Sequence, residues 1–554
     1  MLIAGRDWAQ MHKLDDLNLT PARVQRIVLL LLLTFFILLG ILSSPGITVT
    51  LDEPLHYHYG LFVLQGKTDR IDDSSMPVLA LNALPQYIAT LLPEGAAKSI
   101  LQRYFIARLV TILFSAAVAG LVFRWARSLY GFVSALFATV LYILDPNIIA
   151  HSQLVTTDIY AMGMIALTFF LLWKFANTRR PIDGLICACA LGLSQLAKYT
   201  AVALFPLGLL ALLLHDLPSI RDAYRRAGRV AIGRYLRELA TYVAVALIIT
   251  ALVINIGFLF NRTFTPLKDY QFQSGPFRSL QANLPSLGSL PVPVPYPYLQ
   301  GLDWMLRTDQ AADRFGNIYL LGHVSKPRGF LGYYFVASAL KVPIATQLLV
   351  VAGLIVYFLS PARRARFFRN EVFFFVPVVF FTIYFNFFFN AQTGIRYYLV
   401  IFPLLYVFIG HLFADWKSVP VAAKASSIAL LVFLAISVLS YFPWFIPYFN
   451  EFVWDKTQTY KYLSDSNLDW DQSTGELNRF LAAHPAAIYD PPSVESGLLV
   501  VGGSDLVGIR TKPEQYAWLR DNFKPVDTIA YSYFVYRISP QETAKLCAST
   551  AYCR

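Results

Sequence analysis

Charged residues are scarce in this chain, 14% of its 554 residues against 56% hydrophobic. Soluble domains carry roughly a quarter charged residues, so the deficit argues against a water-soluble globule and for contact with lipid. Cysteine is scarcer still. Four of them are too few for a disulfide framework. Cys187 and Cys189 stand two apart in an apolar helical run, where they do not face each other; they read as small buried hydrophobes. Cys547 and Cys553 lie in a polar tail that falls outside the cytoplasm, where a disulfide can persist; the sequence leaves their pairing open. Short alternating strands are absent, which excludes a membrane β-barrel. The first apolar run is longer than the about 7–15 residues of a signal-peptide core and has no small-x-small cleavage site after it. It reads as a retained helix. An internal repeat of the kind expected in secondary transporters is also missing.

What is present is a series of apolar runs such as Ile27 to Leu42, Val372 to Phe389 and Ile428 to Phe442. Each approaches the ~20 residues needed to cross a hydrocarbon core of ~30 Å, and within lipid only a helix satisfies its own backbone. Helices are expected to begin near Arg26, Ala107, Gly131, Thr157, Ile182, Thr200, Glu238, Tyr334, Glu371, Tyr398 and Lys424. The formal charge of +12 is not a nucleic-acid footprint, because its basic residues fall in short loops between helices. Arg124 and Arg127, Arg179 and Arg180, six arginines between Arg221 and Arg237, and Arg363 to Arg369 share one side with the amino terminus. The short loops on the other side offer only Lys198 and Arg396. Cytoplasmic loops carry the excess of Lys and Arg, so the amino terminus is expected inside and the carboxyl terminus outside.

The expected fold is an all-α polytopic membrane protein of about eleven transmembrane helices with a small C-terminal extracytoplasmic α/β domain. The membrane domain takes residues 1–441, with large outer loops at 43–104 and 261–333, and the C-terminal domain takes 442–554. Pro291 to Tyr298 should be extended polyproline rather than helix. In the tail, Asp471 to Ala483 reads as helix, and Leu498 to Val501 and Thr528 to Tyr536 read as strands.

The sharpest chemical feature is Asp52-Glu53, close after the first helix leaves the membrane and followed by His56 and His58. A plain structural account exists: Asp52 as a helix N-cap, Glu53 in the first turn and Pro54 beside them. The functional account makes Asp52 a general base that takes a proton from an acceptor hydroxyl. Metal binding through Asp52, His56 and His58 has no spacing that fixes its geometry. Asp158 opens the fourth helix on the outer side, after His151, where the helix dipole also favours an acid. Arg103 and Arg108 lie where the chain re-enters as helix two, and Lys198 and Arg396 stand at the outer mouths of later helices. Snorkelling explains each one singly. Cations concentrated at helix mouths on a side depleted of them suit a lipid-linked phosphate. Trp470, in Asp465-Ser-Asn-Leu-Asp-Trp-Asp471, can pack at the interface or stack on a sugar.

Taken in order, these motifs resemble the GT-C fold glycosyltransferases of the protein O-mannosyltransferase and aminoarabinose transferase type (glycosyltransferase family 39), in particular bacterial members. The resemblance is carried by Asp52-Glu53, Arg108, Thr156-Thr-Asp158, Ala197-Lys-Tyr-Thr-Ala201, Gly394-Ile-Arg-Tyr-Tyr398, Tyr448-Phe-Asn-Glu451 and Asp465 to Trp470. It implies a hexosyl or pentosyl transferase of the cell inner membrane. The donor is a polyprenyl-phosphate-linked sugar, the acceptor a protein, lipid or glycan hydroxyl, and the anomeric centre inverts. Asp52 is the implied base, with Glu53 and Asp158 orienting sugar and acceptor. Arg103, Arg108, Lys198, Arg396, His56 and His151 are the implied substrate-binding residues. No cofactor is certain; a divalent cation is the one addition left open. The chain departs from the eukaryotic mannosyltransferases in lacking trefoil-like repeats between its middle helices. The alternative is a transporter or flippase for a lipid-linked or anionic solute, which should carry ionisable residues near the bilayer midplane. Here the helix centres are nearly free of charge.

Overall fold

Among the described residues six helices are long and apolar enough to cross a bilayer, or eight if two bent pairs each count as one crossing, and there are two shorter apolar helices. This is a multi-pass membrane protein. The computed structural model describes residues 22–283, 285–311, 317–325 and 328–553. The expected count of about eleven differs because length and composition treat Tyr199–Gly257 as one stretch and leave out Pro181–Gln195 and Val372–Phe387. That long stretch breaks at Gly228, with φ 56° and ψ −141°, a conformation open to glycine and costly for other residues. The break falls inside the arginine-rich segment between two apolar runs.

Burial sorts the helices. Within an apolar 18-residue window of each span, 83% of the residues are buried in Asp158–Thr178 and in Ile395–Phe413, against 11% in Val421–Leu439 and 17% in Tyr199–Gly257. A helix apolar all round and buried all round sits at the centre of a bundle. These two central helices begin with Asp158 and with the turn holding Arg396, so the charged residues stand at the middle of one end of the bundle.

Over that end lie three segments. The first, after Ala22–Ser43, carries the helices Glu53–Leu64 and Ala80–Thr90. The second carries Tyr296–Ala311 and a small antiparallel hairpin of β1 (Ile318–Leu320) with β2 (His323–Ser325). Its proline-rich stretch stays outside helix only to Pro295; Tyr296, Pro297 and Tyr298 are already the first turn of a helix. Proline in a first turn gives up an N–H that has no helical partner anyway, which is why the expected extended form stops early.

The third segment is the tail. Its sheet runs in the order β3 (Ala487–Tyr489), β4 (Gly497–Gly502), β6 (Tyr533–Ile538), β5 (Asp527–Ile529), with β3 parallel to β4 and the other pairs antiparallel. The expected strand Thr528 to Tyr536 is two strands, because Ala530 and Tyr531 adopt left-handed conformations and turn the chain back. The sheet is buried on both faces with a period of two. Val500, Tyr533 and Val535 pack with Leu477 of the helix Thr474–Ala483. Leu499, Val501, Phe534 and Tyr536 join the same continuous core as the membrane helices.

Cys547 and Cys553 are bonded as a disulfide, and Cys187 and Cys189 are free. Denatured but unreduced protein is therefore expected to take up two equivalents of a maleimide reagent, and reduced protein four. Four before reduction, read by mass, would rule the bridge out.

Candidate active site

The loop that leaves the first membrane helix is held by one carboxylate. Glu53 accepts from Arg108 Nε at 2.9 Å and Nη2 at 2.6 Å, from the backbone N–H of Val155 at 2.9 Å, and from Thr50 N and Oγ1 at 2.9 and 3.2 Å. The remaining Arg108 donors reach the carbonyls of Ile47 at 2.8 Å and Thr48 at 2.9 Å. Both side chains are buried, 0% and 4% exposed. A buried charge stands only when paired and hydrogen-bonded, and here every carboxylate lone pair has a use. Asp52, one residue earlier, points elsewhere. It occupies the N-cap position of Glu53–Leu64 but makes no capping hydrogen bond. Its Oδ2 instead accepts from Arg396 Nη1 at 2.7 Å.

Arg396 is itself held. Its Nη2 donates to Thr393 Oγ1 at 3.0 Å, and its guanidinium lies 4.3 Å from the Trp470 ring and 5.2 Å from that of Tyr397, within cation–π range. Beside it a second pair forms between Lys198 and Asp158, with the Lys198 amine 4.0 Å from the centre of the Tyr397 ring. Two ion pairs thus share Tyr397 between them.

These groups border a cavity of about 650 Å³, the size of an ordinary small-molecule site. Asp52, His56, Lys198 and Arg396 line it, together with Asp72, Asp73, Asp309 and Asp465. Burial pushes the His56 imidazole below its ordinary value, and its Nδ1 has no hydrogen-bond partner among the described residues. One flank is apolar, built from Val202, Ala203, Phe380 and Phe381 of membrane helices and Leu302 and Met305 of Tyr296–Ala311. The tail supplies Ser504, Ile509 and Arg510. Arg510 bonds Asp471 at 2.5 Å and the carbonyl of Asp469 at 3.2 Å.

The structure therefore brings together four of the nine residues singled out from sequence. Asp158 stands behind Lys198. Glu53 and Arg108 are off the wall, consumed by each other, which removes Arg108 from contact with a phosphate in this arrangement. His151 is buried 6.1 Å from Trp470 by ring centres and does not line this cavity. Arg103 is exposed just before Tyr104–Tyr130. His58 packs edge-on against Phe62, and among the described residues no group of three His, Cys, Asp or Glu side chains is placed to hold a metal ion.

Residues 98–232 match the family model of dolichyl-phosphate-mannose-protein mannosyltransferases. That stretch holds Arg103, Arg108, His151, Asp158 and Lys198, and the family is one that the sequence motifs resemble. No curated relative matches the chain. Among solved structures the chain is similar to ArnT from Cupriavidus metallidurans bound to undecaprenyl phosphate, at 14% identity and a TM-score of 0.45 over 74% of this chain and 64% of that one. The apo form of the same protein gives 15%, a TM-score of 0.41 and the same coverage. The chain thus spans less than two thirds of that protein's length.

Asp72, Asp73, Asp309, Asp465 and Arg510 escaped the sequence reading as site residues. Asp465 lay in a noted turn-rich motif, but Asp309 and Arg510 carry no local signal.

Breaking a buried pair leaves an uncompensated charge and costs about 3–5 kcal/mol, so Arg108→Ala is expected to lower the thermal midpoint of the purified protein sharply. A midpoint within a degree of native would show that the pair does not hold the loop. Away from the membrane, burial, reinforced by the Asp469 carboxylate, pushes the Asp505 carboxyl up to about 6. A carboxyl that binds its proton more tightly when folded adds stability in acid, and that gain is lost as pH rises from about 4 to about 6. Asp505→Asn is expected to gain on native protein over that interval. A constant difference in midpoint from pH 4 to pH 7 would overturn the assignment.

Proposed function

We propose that the protein is a membrane glycosyltransferase that moves a sugar from a polyprenyl-phosphate donor to an acceptor hydroxyl, with inversion and with Asp52 as general base. The observation that carries this reading is one cavity with two chemistries. Its floor holds a carboxylate and two cations, Asp52, Arg396 and Lys198, and its flank is a wall of apolar side chains from membrane helices. A lipid-linked sugar phosphate needs both: hydrocarbon contact for the chain, and positive charge where the phosphate acquires negative charge as it leaves. Asp52 then takes the acceptor proton. Asp158 keeps Lys198 in place, Glu53 and Arg108 fix the turn that aims Asp52, and His56 offers a neutral imidazole. The wall of the same cavity also carries Asp72, Asp73 and Asp309, and a protein, lipid or glycan hydroxyl each fits such a wall.

In this reading the chain crosses the inner membrane eleven times, since the break at Gly228 divides the long helix and the short apolar helices also cross. The amino terminus is cytoplasmic. The cavity and the domain formed by residues 442–554 lie outside, above a membrane domain of residues 1–441.

Broken membrane helices are a feature that a transporter would share, and among the described residues two occur, bent by 62° and 116°. Their breaks are closed. Asp145 accepts from the N–H groups of Asn147 and Ile148 and from the Tyr406 hydroxyl, and the Lys341 amine donates to the carbonyls of Ile446 and Asn467. No residue of either break lines the cavity, so the transferase reading is favoured.

The test is transfer of radiolabelled hexose from its polyprenyl phosphate to a membrane extract, with Asp52→Asn beside native protein. Loss of a positioned base costs roughly 10²–10⁴-fold, and a fall of that size at unchanged thermal midpoint is expected. Equal transfer by the variant would remove Asp52 from the mechanism, and no transfer from any lipid-linked sugar, across varied acceptors, would return the transporter reading.

A further inference from the structure

The proposed base is not free. Arg396 is its ion-pair partner at 2.7 Å, and Lys198 is likewise paired with Asp158. A phosphate arriving at this floor meets two cations already neutralised, so it must displace a carboxylate from one of them or leave both as they are. Exposure decides which pair can open. The Asp158 side chain is 3% exposed and that of Asp52 is 30% exposed. Unpairing Asp158 would strand a buried charge, whereas Asp52, on the cavity wall, exchanges its partner for water or for a hydroxyl.

We propose that Arg396 changes partners during turnover: it is the counter-ion of Asp52 in the resting site and of the donor phosphate once that is bound, so the carboxylate is released only when donor is present. The proposal rests on the transferase reading.

Three features of Arg396 suit the exchange. Its Nε is buried and has no hydrogen-bond partner among the described residues, so a donor is in reserve. A guanidinium presents five N–H groups in a planar fork and serves two anions on different edges. The faces of Trp470 and Tyr397 and the bond to Thr393 hold the group in place when Asp52 lets go.

Charge balance in the transfer step gives the exchange its purpose. The acceptor oxygen bonds to the anomeric carbon and its proton passes to Asp52, which becomes neutral. The bond between that carbon and the phosphate oxygen breaks, the electron pair stays on oxygen, and a monoanionic diester becomes a dianionic monoester. One unit of negative charge has left the carboxylate and one has appeared on the phosphate. A cation that moves with it stabilises the late stage of the reaction more than the early one, which is the condition for raising the rate rather than only the affinity.

The exchange makes a prediction about binding alone. Asp52 and the lipid phosphate compete for one guanidinium, so removing the carboxylate should tighten the site for the phosphate. The probe is radiolabelled polyprenyl monophosphate, without sugar, titrated against the purified full-length chain. Asp52→Asn is expected to bind it about tenfold more tightly than native protein, and Arg396→Gln about tenfold more weakly. In the Arg396→Gln background Asp52→Asn should have no further effect, the signature of coupling through one group. Thermal midpoints report folding, and if the Arg396 variant does not fold, Asp52→Asn and Asp52→Ser carry the test by themselves. Unchanged or weaker binding by the Asp52 variants, or no binding by any form, overturns the exchange. An Asp52→Asn protein that binds no more tightly but has lost transfer sinks the exchange and leaves the base; one that retains transfer sinks the base itself.

Discussion

Glu53 and Arg108 illustrate the constraint on which the rest of the site depends: at the mouth of a membrane bundle water is too scarce to solvate a charge, so each charge must be solvated by another. Their pair also consumes the carbonyls of Ile47 and Thr48 and the N–H groups of Thr50 and Val155. The turn from the first membrane helix into Glu53–Leu64 thereby has one conformation. Neighbouring residues at a helix start point in different directions, so fixing Glu53 inward leaves Asp52 facing the cavity. Asp52 meets the same constraint through Arg396, and Asp158 through Lys198. The candidate site is a small array of charges in which each position depends on its partner.

That array is not built by the membrane helices alone. Residues 465–472 run between the bundle and the C-terminal sheet and touch both. Asn467 accepts from Ile395 N at 3.0 Å and donates to the Tyr333 hydroxyl at 2.9 Å. Trp470 lies on Arg396 while its carbonyl accepts from Leu51 N at 3.4 Å, and the carbonyl of Gln472 accepts from Thr48 N at 2.7 Å. On the other side, Asp469 receives the N–H of Ser504 at 3.2 Å. The sheet's inner face shares a core with the bundle, so the tail is a wall of the site and not an appendage.

Much of this was legible in the sequence because membrane burial writes itself locally. Apolar length located most helix starts to within a few residues, although the one expected near Glu238 lies ten residues past the break at Gly228, and the scarcity of charge made Asp52, Asp158, Lys198 and Arg396 conspicuous. What stayed hidden depends on partners far along the chain. Glu53 and Arg108 are 55 residues apart and Asp52 and Arg396 are 344 apart, so nothing local says that one member of the acidic doublet is structural and the other faces the cavity. Asp309 gains its place by accepting the N–H groups of Asn390 and Ala391, and Arg510 by its bond to Asp471; neither stands out among surface charges. Local backbone detail was equally silent. The left-handed Ala530 and Tyr531, which divide one apparent strand into two, have no glycine or proline to announce them.

The strap of residues 465–472 has a consequence for assembly. It is made late, after the last apolar helix of the bundle, yet it holds the loop around Asp52, made near the beginning. During synthesis the inserted helices wait with the turn at Thr48 to Leu51 lacking its two carbonyl partners and with no indole against Arg396. The bundle can be threaded and packed before the end that holds the candidate site is set. On the proposed transferase reading the site is completed last, when the tail packs onto the bundle.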